Sequence, residues 1–211
     1  MNNPSTFSWD LFRAAPIIGI IRGLPRTSVF KIAEAYLEAG LTTLEVTMNT
    51  EGALDMISDL RQQYPALNIG AGTVCNMTQL QEAIDAGAQF IVTPILEEAV
   101  LKMALKNGRV IFPGAFTPSE IYRAWSLGAP AIKVFPATQL GPQYIKDVLA
   151  PLNDIKLIPT GGVTAQNMRA FFDAGAFGLG MGSALLDKKL IQQNDFKGLR
   201  AHFTSIKEQL P

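Results

Sequence analysis

One lysine interrupts an otherwise apolar run, Ala131-Ile132-Lys133-Val134-Phe135-Pro136. Strand alternation puts Lys133 and Phe135 on one face, with Ile132 and Val134 on the other. If the apolar pair faces a layer of helices, the amine points inward. Desolvation there disfavours the ammonium and lowers its pKa. A neutral amine is a nucleophile toward a ketone. Glu45 is the second candidate, in Leu44-Glu45-Val46-Thr47-Met48-Asn49, where alternation turns Glu45 and Thr47 inward. A carboxylate so placed needs a partner, which Lys133 can provide, and it can move protons in an aldol reaction. Each residue also has a plainer reading: a structural Lys–Glu ion pair, or a lysine extending its head to solvent.

Two glycine-rich segments suggest an anion site. Thr160-Gly161-Gly162-Val163-Thr164 and Gly180-Met181-Gly182-Ser183 each follow or close an apolar run. Glycine lets backbone N–H groups approach a phosphate closely, and helix N-termini favour anions. Arg22 offers a fork for carboxylate or phosphate, or alternatively for loop carbonyls. Thr73, after Gly70-Ala71-Gly72, is either a hydrogen bonder to a substrate carboxylate or a turn hydroxyl. Other chemistries lack residues. His202 is the only histidine and falls in the expected last helix, which argues against a Ser-His-Asp triad and a multi-histidine metal site. No metal or organic cofactor is expected. Cys75 has no histidine near it in the pattern and reads as a packing residue.

These candidates recur at one kind of place, the C-terminal end of an expected strand. Eight runs rich in β-branched residues span 17–22, 43–48, 68–74, 90–94, 110–114, 131–136, 156–160 and 177–182, with starts 20 to 26 residues apart. Segments with helical spacing lie between them, such as Val29, Ile32, Ala33, Tyr36 and Leu37. Gly40, Gly87, Gly108, Gly128 and Gly175 punctuate helix ends. Thr117-Pro118-Ser119-Glu120 reads as a capping box, and Thr164 as the cap of the helix containing Met168, Phe171 and Phe172. The alternation predicts an α/β fold, specifically a (β/α)8 TIM barrel. An open doubly wound sheet is the alternative, weakened by the lack of GxGxxG after the first run. An extra N-terminal helix is expected over 8–15, covering the barrel bottom, and a closing helix over 196–209.

The 211 residues fit a single domain, 1–211. Eighteen basic and eighteen acidic residues cancel, which gives no reason to expect nucleic acid or an anionic membrane as partner. No segment approaches the roughly 20 apolar residues of a spanning helix. With one cysteine and no leader pattern, a cytoplasmic protein is expected.

At these residues the sequence resembles the 2-keto-3-deoxy-6-phosphogluconate aldolase family, which includes 4-hydroxy-2-oxoglutarate and phosphogalactonate aldolases. The resemblance covers about 16–185. It is carried by Leu44-Glu45-Val46-Thr47, Gly70-Ala71-Gly72-Thr73-Val74, Val92-Thr93-Pro94, Ile132-Lys133-Val134-Phe135-Pro136, Pro159-Thr160-Gly161-Gly162-Val163 and Gly182-Ser183. It implies a class I, metal-independent aldolase of phosphorylated keto acids, usually a homotrimer. Lys133 matches the Schiff-base lysine and Glu45 the general acid/base. Thr73 matches a residue near the pyruvyl carboxylate. Gly161, Gly162 and Ser183 match the phosphate segment, with Gly182 beside it, and Pro94, Phe135 and Thr160 match pocket-lining positions. The phosphogluconate enzymes commonly have Arg where this chain has Asn49. The phosphogalactonate relatives resemble it in that Asn and in a turn like Ile21-Arg22-Gly23, so Arg22 supplies positive charge in this reading. The competing functions are a phosphosugar isomerase on the same scaffold and a phosphosugar-binding protein without turnover.

Overall fold

The computed structural model describes residues 6–211. Its strands are β1 (Ile17–Ile21), β2 (Thr43–Thr47), β3 (Asn68–Gly72), β4 (Phe90–Val92), β5 (Val110–Phe112), β6 (Gly114–Ala115), β7 (Ile132–Val134), β8 (Leu157–Pro159) and β9 (Leu179–Met181). They fall within the eight expected runs but for Ala115, one residue past the fifth. They pair in parallel and alternate with helices, which gives an α/β fold. One sheet has the order β5-β4-β3-β2-β1-β9 and a second the order β6-β7-β8.

The ladder is therefore less continuous than the expected barrel. The fifth run divides at Pro113, which has no N–H to give. On one side of it, Phe112 O accepts from Thr93 N beyond β4; on the other, Pro113 O accepts from Lys133 N on β7, at 2.9 Å. Between β8 and β9 the pairing reduces to one bridge, Thr160 to Gly180. There the Thr160 side chain occupies the space over Gly180, where a Cβ would lie 2.1 Å from its Oγ1.

Strand alternation sorts side chains into two layers. Ile132, Val134, Leu44 and Val46 are buried under the helices. Ile18, Phe90, Val92, Phe112 and Ile158 form a separate inner cluster with Phe7 and Phe12. The helix Trp9–Ala14 delivers those aromatics, and Ser8 caps it by accepting from Leu11 N at 3.3 Å. Phe12 stacks on Phe112 at 6.1 Å and meets Phe177 at 5.6 Å, while Phe7 meets Phe90 edge-on at 5.3 Å. Phe90 begins β4 and Phe177 precedes β9, so the rings around Phe7 and Phe12 cover the N-terminal ends of the strands, as expected of the extra helix, while Val92 and Phe112 carry the cluster up to the last residues of β4 and β5.

The capping box at Thr117 and Glu120 forms as expected, starting the helix Pro118–Ser126. The expected cap at Thr164 does not. The helix there is Met168–Asp173, with Asn167 at its N-cap position. Residues 164–167 form a turn instead. Asn167 Oδ1 accepts from Thr164 N, and its Nδ2 donates to Gly162 O, both at 2.8 Å. The last helix is Phe196–Lys207, capped by Asp195.

Because Phe12 is fully buried among four other rings, Phe12→Ala leaves a cavity that its neighbours cannot close. We expect a loss of about 3–5 kcal/mol. Urea unfolding checks this: the midpoint falls while the slope holds.

Candidate active site

The C-terminal ends of the strands enclose a cavity of about 400 Å³. Lys133 and Glu45 reach it from β7 and β2, and both are nearly inaccessible, at 6% and 1% exposure. Burial holds the Lys133 amine below its ordinary pKa; Glu45 acts against this shift and Arg22 adds to it. Burial raises the Glu45 carboxyl above its ordinary value, against the pull of Lys133 and Arg22. Both shifts favour the neutral forms, a free amine beside a protonated acid. Glu45 Oε2 is buried with no hydrogen-bond partner among the described residues.

The resting ion pair considered for these two residues does not form. Among the described residues, Lys133 and Glu45 make no direct contact of ion-pair length. The amine lies instead over the Phe135 ring, 4.7 Å from its centroid. Against both residues lies a small void of about 10 Å³, bounded also by Ile18, Val92, Phe112 and Ile158. That is at the lower edge of what admits one water, so the floor under the pair is apolar.

The opposite wall is backbone. Gly161 and Gly162 line it with φ of +93° and +73°, and Gly182 and Ser183 complete it from beyond β9. Arg22, Thr73, Pro94, Phe135 and Thr160 also line the cavity. A buried amine, a buried carboxyl and glycine backbone thus share one opening. This arrangement suits covalent capture of a carbonyl compound that carries an anionic tail.

A family profile described as "Aldolase: KDPG and KHG aldolase" matches residues 10–201. The chain belongs to the KDPG and KHG aldolase family. It is 37% identical over 173 residues to the 2-dehydro-3-deoxy-6-phosphogalactonate aldolase of Escherichia coli K12, covering 81% of this chain and 84% of that protein. It is 31% identical over 202 residues to the 2-dehydro-3-deoxy-phosphogluconate aldolase of Dickeya dadantii, covering 95% of each. Among solved structures, it resembles the KDPG aldolase of Legionella pneumophila with pyruvate captured at low pH as a covalent carbinolamine intermediate. The TM-score there is 0.87, at 25% identity over 98% of each chain.

In this aldolase one expected binding residue stands apart. Asn49 is exposed in the turn after β2 and is not among the residues lining the cavity. Other residues escaped the sequence reading. Ile20 and Ala184 line the cavity, beside Val163, Thr164 and Gly180 of the two glycine-rich segments. Thr50 is buried and ties two loops together: its Oγ1 accepts from Gly23 N and meets Thr47 Oγ1, each at 3.0 Å. It thereby steadies the turn that carries Arg22. Thr73 adopts φ of +57°, which a β-branched residue rarely does; such strain clusters at functional sites. His202, expected in the last helix, donates from Nε2 to Ala184 O at 3.0 Å, which joins that helix to the cavity wall.

The direction of the Glu45 shift fixes how stability depends on pH. A raised carboxyl keeps its proton in the folded chain where the unfolded chain has lost it. The folded state then binds more protons, and its stability falls as pH rises above the ordinary carboxylate range. Glu45→Gln removes that penalty. Its melting temperature is therefore expected to gain on wild type as the buffer moves from about pH 4 to about pH 8, while turnover drops about 10²- to 10⁴-fold. Calorimetric melting at both pH values, with a turnover assay, checks this; a constant difference in melting temperature contradicts it.

Proposed function

We propose that the protein is a class I aldolase that cleaves 2-dehydro-3-deoxy-6-phosphogluconate to pyruvate and glyceraldehyde 3-phosphate, with Lys133 as Schiff-base nucleophile. The observation that carries this reading is the buried, uncomplexed Lys133 amine, facing the same cavity as Glu45 and the Gly161-Gly162 wall. Neutral Lys133 attacks the C2 ketone. Glu45 donates its proton, directly or through solvent, as hydroxide leaves the carbinolamine as water. The iminium then withdraws electrons from C3. Glu45, now a carboxylate, accepts the C4 hydroxyl proton as the C3–C4 bond breaks. The aldehyde departs, the enamine is protonated at C3, and water releases pyruvate and restores the amine.

In this reading Gly161, Gly162, Gly182 and Ser183 hold the phosphate. Thr73 and Arg22 hold anionic oxygens of the substrate, and Pro94, Phe135 and Thr160 shape the pocket. Asn49 acts only through its turn. The phosphogalactonate epimer is the second reading, favoured by Asn49, by Arg22 in Ile21-Arg22-Gly23 and by the similarity to the Escherichia coli enzyme. Unphosphorylated 4-hydroxy-2-oxoglutarate is a further candidate substrate. We also infer that the two sheets act as one closed (β/α)8 TIM barrel; the Thr160–Gly180 bridge and the shared fifth run support this. A cytoplasmic location fits the single cysteine.

Pyruvate with borohydride is expected to add a reduced adduct at Lys133, located by peptide mass spectrometry. An equal adduct on Lys133→Ala, or none on wild type, sinks the mechanism. Pyruvate release from the two phosphorylated epimers and from hydroxy-oxoglutarate, measured side by side, decides the substrate.

The proposed assembly is a homotrimer. Ile95, Phe116, Tyr122 and Trp125 follow β4 and β6 and are large apolar side chains left exposed, which supports a covered face there. Light scattering should give three times the chain mass of 22.8 kDa, and Trp125→Glu should lower it.

A further inference from the structure

Strand β3 turns Asn68, Gly70 and Gly72 toward the interior. The register aligns Gly70 with Glu45 and Gly72 with Thr47 on β2. Each of these glycines carries a neighbour's side chain on its bare Cα. A Cβ at Gly70 would lie 2.6 Å from the Phe90 ring; one at Gly72 would lie 2.4 Å from Glu45 Oε1 and 2.6 Å from its Cδ. Gly72 is not needed for its own backbone, because its φ lies outside the left-handed region that excludes other residues. The demand comes from the acid. The Glu45 carboxyl rests on β3 where a methyl group would sit, and Oε2 is buried there without a partner. No hydrogen bond fixes that oxygen, so the position of the carboxyl depends on the shape of its seat.

We propose that Gly72 is a positioning residue for proton transfer: its missing side chain seats the Glu45 carboxyl at the height from which it serves Lys133. The inference rests on reading Glu45 as the proton carrier. An added methyl displaces the carboxyl by a large fraction of an ångström or more, since both carboxyl atoms stand well inside van der Waals contact of the new Cβ. The nucleophile, the glycine wall and Arg22 remain where they are. The loss therefore falls on steps that move a proton, with little change in substrate binding.

The test is a double-mutant cycle read by turnover and by the rate of borohydride-trapped pyruvate adduct. Gly72→Ala is expected to lower kcat and the trapping rate about 10- to 100-fold, with KM within about twofold. In a Glu45→Ala background, the same change should alter the trapping rate less than about twofold, because the seat is empty. Equal fold-losses in both backgrounds overturn the positioning role and leave the Schiff-base reading standing. A Glu45→Ala enzyme as fast as wild type removes Glu45 as proton carrier, and this inference with it. Should Gly72→Ala alone fail to fold, Glu45→Asp is compared with Glu45→Asp/Gly72→Ala, since the shorter acid clears the methyl. Equal rates there support the seat; a 10-fold or greater loss overturns it.

Discussion

Removal of an amine and a carboxyl from water, in one interior and without direct pairing, is the constraint on which the rest of the molecule turns. Burial disfavours both charged forms, and no salt link forms between the two groups to offset it. A direct contact would reward the charged forms and favour a protonated amine. Distance and burial work together: near enough for each to influence the other's pKa, too far apart to lock. The Phe135 face against the amine and the side chains of Ile18, Val92, Phe112 and Ile158 surround the pair with apolar surface.

The architecture divides its interior to meet this constraint. The N-terminal ends of the strands are filled by aromatic rings supplied partly by the first helix. The C-terminal ends are left open above an apolar floor of Ile18, Val92, Phe112 and Ile158. Glycines on β3 and β9 give neighbouring side chains room to lie across the strands, and Thr160 and Glu45 both use such space. Loops then add the polar groups. Thr50 and His202 hold two of those loops by single hydrogen bonds, from outside the set of residues facing the cavity.

Much of this was legible in the sequence. A period-two pattern suffices to turn Lys133 and Glu45 inward, since the faces of a strand are fixed by its geometry. Strand-end glycines at 161, 162 and 182 were equally readable as close backbone approach. What failed lay one or two residues past a strand, or in a rotamer. Asn49 follows the last residue of β2 by two positions, where the chain has begun to turn and alternation no longer assigns a face. The lack of an ion pair is a matter of side-chain torsions, on which face assignment is silent. Pro113 announced its effect chemically, through the missing N–H, yet the run around it was read as one strand. The left-handed Thr73 carries no local signal, because nothing in its type favours that conformation. The contact of His202 joins residues far apart in the chain, which no local pattern reports.

The aromatic plug has a consequence for how such a protein changes over generations. Phe7, Phe12 and Phe90 pack toward the N-terminal ends of the strands, while the candidate binding residues lie toward or beyond the C-terminal ends. Drift in the loops after the strands therefore draws little on the contacts that keep the chain folded. Exchanges in the loops after the strands can alter the cavity rim while the rings that pack at the N-terminal ends hold the fold. Evolvability of substrate choice is, in this scaffold, a property of where its phenylalanines are.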